Sequence, residues 1–251
     1  MAVNSVSRVL FLAGTGAVKG SWRPVLNALG KIGPADTEWC PELANQFMAT
    51  AVHTARFGWY GNPENAVLRE VLIGPRNQIR DSIARELREF RSAPQEGFDR
   101  AWEKWVPAGS ECLVATTNWD RVLDEHLMAG KGLSVLHLHG VCPQNQDASD
   151  LYLPTEIAFE PYFDESDRQS FLGSLKILKD FAARATRLVL YGLSVSPLDA
   201  ELSTWLMAIL DGGSIVDVVL VDPNFAQVEK RLRVIGTERA RAVSVLTGWP
   251  V

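Results

Sequence analysis

RVLFLAGTGAVKG, residues 8–20, is the stretch that decides the fold of this chain. The apolar run at 8–12 ends in a glycine-rich stretch, which predicts a buried strand followed by a tight turn. Gly14 and Gly16 flank Thr15 in that turn. Such glycines make an ordinary turn, or they let the backbone approach a phosphate group at the N-terminus of the next helix. Lys19 or Arg23 would then neutralise the phosphate.

A largely helical block follows this turn. Alanine, leucine and isoleucine recur at helical spacing over residues 42–57 and 64–90, and Gly74 and Pro75 are expected to break the second run. Trp102 and Trp105 close the block. We therefore predict one domain over residues 1–251 with a helical insertion at 32–109.

Beyond Gly109 the pattern changes to short β-rich runs separated by helical stretches, which is typical of βαβ units. With the first run included, the predicted strands are 8–12, 112–116, 133–138, 187–190, 215–221 and 242–246, and the later helices are 120–128, 166–185, 198–210 and 225–234. The expected fold class is α/β. We predict a doubly wound, Rossmann-like, mostly parallel sheet with helices on both faces and the helical insertion after the first strand.

Composition narrows the function classes. The 251 residues are 47% hydrophobic, enough for one sizeable core. The net charge is −5, so no large positive field favours direct nucleic-acid binding.

Cys40, Cys112 and Cys142 are far apart and form no CxxC pair, so we expect a reducing compartment and no zinc. No run approaches the roughly 20 apolar residues of a membrane helix, so we expect a cytoplasmic protein without a membrane partner.

Small and polar residues follow the predicted strands. Ligands of open parallel sheets bind beyond the carboxyl ends of the strands, so these residues mark the expected ligand site. They are Gly14-Thr15-Gly16, Thr117-Asn118-Trp119-Asp120, His137-Leu138-His139-Gly140, Tyr191-Gly192-Leu193-Ser194 and Asp222-Pro223-Asn224.

Several of these residues also have a purely structural interpretation. Asn118 would serve as N-cap of a helix that begins at Trp119 or Asp120, because asparagine is a preferred N-cap residue. Asp120 in a first helical turn is favourable to the helix dipole without any ligand. Asn224 would cap the next helix from an ordinary turn. Both interpretations of each residue stay open at this point.

The histidines carry more information. Period-two alternation predicts that His137 and His139 share one face of their strand, with His139 nearest its end. The pair is either satisfied inside the core or available for chemistry. Metal binding would need a third ligand, and none has suitable spacing. His53 and His126 fall in helical stretches, where packing or surface roles are expected.

Taken in order, these motifs resemble the sirtuin-like family, meaning silent information regulator two and its bacterial relatives. Asn118-Trp119-Asp120 followed by Leu138-His139-Gly140 is the most specific part of the resemblance. The stretch from Gly192 to Asp199 is similar to the bacterial branch associated with phage defence, whose members commonly destroy NAD.

The resemblance implies that NAD is the substrate and assigns each motif a role. Asn118 holds the ribose or the attacking water, His139 is the base at the ribose, and Asp120 orients the nicotinamide amide. The other implied NAD contacts are Gly14, Thr15 and Gly16 at the diphosphate, Gly192, Ser194 and Asn224 around the adenosine half, and Asp222 beside them. No metal ligand is implied.

Two departures from the family pattern refine the expected activity. Val18 stands where the family turn has a hydroxyl that contacts phosphate. Zinc-bearing deacylases carry two cysteine pairs after the histidine motif, and here only Cys142 follows Gly140. The missing cysteine pairs argue against deacylation, and the Val18 departure favours a module that only binds NAD. The function that we expect first is an NAD glycohydrolase that releases nicotinamide and ADP-ribose, in the role of a phage-defence effector.

Two alternatives stay open. One is a non-catalytic module that binds NAD or ADP-ribose, and the other is a protein deacylase or ADP-ribosyltransferase. Activation is expected to come from a protein partner or a homo-oligomer contacting the helical insertion. The tryptophans of that insertion are either core anchors or interface residues.

Overall fold

A computed structural model describes residues 7–61, 66–142, 151–156, 165–236 and 243–248. These residues form one sheet with strands β1 (Arg8–Ala13), β2 (Glu111–Thr116), β3 (Val135–His137), β4 (Arg187–Tyr191), β5 (Asp217–Val221) and β6 (Ser244–Thr247). The order across the sheet is β3-β2-β1-β4-β5-β6, and every neighbouring pair is parallel. This is the Rossmann strand order, so the predicted α/β class is confirmed.

Except for the first, the helices overlap the predicted helical stretches, with shifted ends; the first, Arg23–Ile32, precedes all of them and was not predicted. They are α1 (Arg23–Ile32), α2 (Pro41–Gly61), α3 (Ala66–Glu89), α4 (Phe98–Trp105), α5 (Val122–Lys131), α6 (Glu165–Ala182), α7 (Ala200–Gly212) and α8 (Phe225–Ile235). Within the described ranges, no helix has both the length and the apolar character needed to cross a lipid bilayer.

The central strands are apolar on both faces because helices cover both. In β1, Leu10 and Leu12 pack into the core under α6, α7 and α8. Val9, Phe11 and Ala13 point the other way, into the core formed with α4 and α5. The same odd and even division recurs in β4 and β5, as the two-residue period of a strand requires. The prediction of helices on both faces is confirmed.

An aromatic cluster anchors α4 to the sheet. The ring of Phe11 lies 5.7 Å from that of Phe98, 5.3 Å from Trp102 and 6.2 Å from Tyr191. Such ring pairs contribute about 0.5–1.5 kcal/mol beyond the burial of their area. Trp102 is therefore a core anchor rather than an interface residue.

The helical block between β1 and β2 has a core of its own. Leu29 of α1, Met48 and Val52 of α2, and Ile79 and Ile83 of α3 are buried together there. Helix α1 begins earlier than the predicted start of the insertion at residue 32, and α4 packs on the sheet instead of in this core. The assignment of 32–109 as an insertion within a single domain stays a prediction.

The predicted break at Gly74 and Pro75 is wrong, because α3 runs through both residues without interruption. Proline removes one backbone hydrogen bond and crowds the preceding turn, which costs about 3 kcal/mol in an isolated helix. The packing of side chains before and after the proline offsets that cost. Leu72 lies so close to Gly58 of α2 that a Cβ on Gly58 would be 2.6 Å from it, and Ile79 is buried one turn beyond the proline.

Candidate functional site

The turn after β1 and the turn after β4 are packed backbone against backbone. Gly14 donates to the carbonyl of Tyr191 at 2.8 Å, and Gly16 donates to that of Gly192 at 2.9 Å. A Cβ on Gly16 would lie 2.7 Å from the Cα of Gly192, and one on Gly192, whose φ is +57°, would lie 2.4 Å from the carbonyl carbon of Gly16. The glycines are thus required by this close approach. Their predicted contact with NAD stays a prediction.

The chain after Gly16 departs from the predicted path. Thr15–Ala17 forms a single 3-10 turn, and α1 begins only at Arg23, so the glycine turn does not open directly onto a long helix. The reason is that Val18 is buried and forms a backbone bridge with Pro94, which diverts the chain. Lys19 is paired with Glu96 at 2.9 Å and is already engaged.

A cavity opens at the carboxyl ends of the central strands, where the strand order reverses. The predicted site residues that line it are Thr15, Asn118, Asp120, His139 and Ser194. Its other lining residues are Ser21, Trp22, Val25, Asn45, Leu87, Thr117, Trp119, Pro154, Leu193, Val195, Ser196, Asp199 and Leu202.

The remaining predicted residues lie outside this lining. Gly14, Gly16 and Gly192 form the backbone junction behind it. Asp222 and Asn224 follow β5, where the Asp222 carboxylate accepts from the Asn224 backbone N–H at 2.7 Å. Burial raises the pKa of Asp222 more than this bond lowers it. Asn224 occupies the N-cap position of α8, but its side chain caps nothing. Their role toward NAD stays a prediction.

The backbone of Asn118 is held from both sides. The hydroxyl of Thr116 donates to the carbonyl of Ala13 at 3.0 Å and accepts from the N–H of Asn118 at 3.1 Å. The carbonyl of Asn118 lies 2.8 Å from Nδ1 of His137, which must donate because a carbonyl only accepts. The other ring nitrogen of His137 lies 2.9 Å from the carboxylate of Asp124. His137 therefore supports Asn118 and is satisfied by protein groups.

The side chain of Asn118 has no such support. The residue is only 3% exposed, and both polar atoms of its carboxamide are buried without a hydrogen-bond partner among the described residues. A buried polar group left unpaired costs about 1–3 kcal/mol. The interpretation as an N-cap is excluded, because α5 begins only at Val122. A carboxamide in this state, on the wall of a cavity, is suited to bind what enters the cavity.

Asp120 lies just before α5 rather than in its first turn. Its carboxylate accepts from the N–H of Val122 at 3.0 Å, so part of its role is to start the helix. Burial raises the pKa of Asp120, although that hydrogen bond and the nearby His137 act in the opposite direction.

The predicted common face of His137 and His139 is wrong. β3 ends at His137, so the alternation does not continue to His139. His137 contacts Asp124 of α5, whereas Nε2 of His139 lies 3.3 Å from the carboxylate of Asp199, the N-cap residue of α7. Only His139 lines the cavity.

The surroundings of His139 favour its charged form. Burial, the largest influence, opposes the charge, but the carboxylates of Asp199, Glu201 and Glu156 together outweigh burial and raise the pKa of His139. Burial alone would raise the pKa of Asp199, but the charge and the hydrogen bond of His139 outweigh burial and lower it. Each of the two side chains therefore favours the charged form of the other. In its charged form, His139 must lose a proton before it can accept one.

Residues 151–156, which we call the bridging segment, join His139 and Trp119, the neighbour of Asn118, to the helical block. The N–H of Tyr152 donates to the carbonyl of His139 at 3.0 Å, and its carbonyl accepts from the Trp119 indole at 3.1 Å. Glu156 is fully buried and pairs with Arg76 of α3 at 2.5 Å. The distance between the helices and the site is thus fixed through this segment.

Sequence reasoning missed Asp199, Thr116 and His137 as supports of the site. The sequence does indicate one role of Asp199, because an aspartate directly before a helical run predicts an N-cap. Its pairing with His139 spans strands that only the fold brings together. Val195 is a further missed feature: it is buried on the cavity wall with a φ of +49°. For a β-branched residue this is strained backbone, of the kind found at functional sites.

In the described ranges, no group of three or more His, Cys, Asp or Glu side chains is arranged to hold a metal ion. Of the cysteines, Cys40 is exposed, Cys112 is half-buried and Cys142 is buried, and all are free thiols. The predicted absence of zinc stays a prediction.

No known protein family matches the sequence, and no curated protein matches it. A solved structure described as "The Structural basis of Sirtuin Substrate Affinity" is similar at 17% identity over 99% of this chain and 91% of that chain, with a TM-score of 0.42. A likeness at this level carries no argument about function. The fold class rests on the strand order, and membership of the sirtuin-like family stays a prediction.

Proposed function

We propose that this protein binds NAD in the cavity at the carboxyl ends of its strands and hydrolyses the bond between nicotinamide and ribose. The products are nicotinamide and ADP-ribose. The observation that supports this most is the buried Asn118 carboxamide, whose two polar atoms have no partner among the described residues. Asn118 lines the same cavity as His139.

The residue types suit this chemistry. Cleavage of the bond builds positive charge on the ribose carbon, so the site needs groups that fix the leaving amide and the attacking water without adding a cation at that carbon. Asn118 offers a donor and an acceptor and is neutral. His139 accepts a proton from the water or a ribose hydroxyl. Asp120, buried beside Asn118, is proposed to orient the nicotinamide amide.

The other predicted contacts complete the proposal. Thr15 and Ser194, which line the cavity, and Gly14, Gly16 and Gly192 behind it are proposed to contact the diphosphate and adenosine parts, with Asp222 and Asn224 farther along the sheet edge. None of these contacts is needed for the first test.

A second candidate is a non-catalytic module that binds NAD or ADP-ribose. The contact between His139 and Asp199 supports it, because the carboxylate favours the imidazolium, which has no lone pair with which to accept a proton. Under the first candidate this histidine must lose its proton before the bond breaks. Under the second, its charge would serve only to bind.

Activation belongs to the same proposal. Phe57, Tyr60, Val67 and Val71 of α2 and α3 are exposed apolar side chains. Such side chains suit contact with a partner or another copy. We propose that such contact activates the enzyme, as expected of a phage-defence effector.

The test is the release of nicotinamide from NAD by the purified protein, measured by chromatography. We expect release without any acylated peptide, and loss of release in Asn118→Ala and His139→Ala. The matched controls are Asn27→Ala, at an exposed position of α1, and His126→Ala, whose ring contacts Asp99 away from the cavity. Both controls should retain release. Equal loss in variants and controls would contradict the assigned roles.

Calorimetric titration separates the two candidates. If the wild type binds NAD, and Asn118→Ala weakens binding while no nicotinamide appears, the binding module is favoured. If neither binding nor release is found, both candidates are wrong. Release only in the presence of an acylated peptide would favour the deacylase.

A further inference from the structure

We propose that Asp199 is the positioning residue of His139: it holds the imidazole with a proton on Nε2 and leaves Nδ1 as the atom that takes a proton during the reaction. The inference rests on the proposed function for the identity of the reaction, but the arrangement itself is open to measurement without it.

The carboxylate of Asp199 is fixed by the helix that follows it. Oδ1 accepts from the N–H of Leu202 at 3.0 Å, which caps α7. Oδ2 lies 3.3 Å from Nε2 of His139. One carboxylate therefore serves both the helix and the histidine, and the positive end of the helix dipole stabilises its charge.

His139 is fixed from its backbone as well. Its carbonyl accepts from the N–H of Tyr152 at 3.0 Å, and the preceding residue, Leu138, donates to the carbonyl of Thr116 at 2.8 Å. The imidazole is 9% exposed and the carboxylate 13% exposed, so little water competes for their contact. The backbone of His139 and the Nε2 end of its ring are thus both held by protein groups.

The position of the proton follows from the partner. An ionised carboxylate only accepts hydrogen bonds, so Nε2 carries a hydrogen in the charged and in the neutral ring. The neutral ring then has its lone pair on Nδ1. A histidine oriented by a carboxylate through one nitrogen and acting as a base through the other is a recurrent catalytic arrangement.

The charged groups around His139 set when Nδ1 becomes available. Asp199 and Glu201 of α7 and Glu156 of the bridging segment all favour the imidazolium, and Glu156 is itself paired with Arg76 of α3. Asp120 lines the same cavity. Because the pKa of His139 is raised, we expect the activity to increase with pH through a value above 6.5.

Two variants separate positioning from folding. Asp199→Asn keeps a good N-cap and similar volume but removes the charge, and its amide no longer requires hydrogen on Nε2. Asp199→Ser keeps the cap and withdraws the partner from the ring. Asp180→Asn, at an exposed position of α6, is the matched control for loss of one negative charge.

The first measurement is ¹⁵N NMR of the histidine rings, with the His139 signal assigned by its loss in His139→Gln. We expect hydrogen on Nε2 in the neutral ring of the wild type, and a lower pKa of His139 in Asp199→Asn and Asp199→Ser but not in Asp180→Asn. Hydrogen on Nδ1 in the wild type, or an unchanged pKa in both Asp199 variants, would overturn the proposal.

The second measurement is nicotinamide release against pH. In Asp199→Asn we expect the rise in activity to move to lower pH and the plateau to fall by about tenfold or more, because the base is no longer held in one tautomer. A plateau and profile identical to those of Asp180→Asn would overturn a catalytic role of the contact. If the wild type releases no nicotinamide, the proposed function fails, and the NMR result alone decides the role of Asp199.

Discussion

Replacement of Gly192 by alanine tests whether the junction between the turns after β1 and β4 is as tight as the structure indicates. Gly192 has a φ of +57°, and a Cβ there would lie 2.4, 2.5 and 2.7 Å from backbone atoms of Gly16 and Ala17. All three neighbours are main-chain atoms. No side chain can rotate away to make room, so the two turns must separate.

The expected cost has two parts. A left-handed backbone costs an L-residue about 1–2 kcal/mol. Forcing an extra methyl group into a packed site costs about 1–3 kcal/mol more. Gly192→Ala should therefore lower the free energy of unfolding by about 2–5 kcal/mol. Because Leu193 and Ser194 line the cavity, the same displacement should weaken NAD binding.

Gly132→Ala is the matched control. Gly132 ends α5 with a φ of +65°, and no heavy atom lies within 4 Å of the position its Cβ would take. This variant carries the conformational cost without the collision, so about 1–2 kcal/mol is expected. Urea denaturation of both variants measures the difference. Equal destabilisation by the two substitutions would refute the argument that close approach requires Gly192.

Three further outcomes are expected. Arg76→Met should lower the free energy of unfolding by about 3–5 kcal/mol in urea denaturation, because it leaves Glu156 charged and buried. The double variant Arg76→Met/Glu156→Gln should recover most of this loss. Equal losses in the single and double variants would contradict this role of the pair. The stability difference between wild type and Asp199→Asn should be largest between pH 3.8 and 6.5. This difference should shrink as pH rises through the raised pKa of His139, and also as pH falls through the lowered pKa of Asp199. A stability difference that grows above pH 6.5 would mean that Asp199 does not favour the charged form of His139. Burial raises the pKa of Cys112 to about 12, so alkylation of the native protein, followed by mass spectrometry, should modify exposed Cys40 well before Cys112.

The fold could be predicted because its signals are local and repeated. The run at 8–12 is apolar at every position after Arg8, as a strand covered by helices on both faces must be. Glycine and polar residues at the strand ends then indicated the edge where a cavity lies. Asn118 and His139 were placed at that edge from their order in the sequence alone, and both line the cavity.

What could not be predicted depends on contacts between distant residues. The path of α3 through Pro75 depends on packing against α2, which no pattern within the helix records. The length of β3 decided the orientation of His139, and a strand of three residues is too short for its end to be read from alternation. The pairing of His139 with Asp199 needs β3 and α7 at one edge of the sheet.

The bridging segment connects the cavity wall to the helical block, so we expect binding at one to change the affinity at the other. It holds His139 through Tyr152 and is itself held in the helical block by the buried pair of Glu156 and Arg76. A ligand that shifts this segment must work against that pair. By reciprocity, a partner that moves α3 changes the affinity of the cavity by the same factor as the ligand changes the affinity for the partner. Measuring either affinity in the presence of the other molecule therefore reports on both.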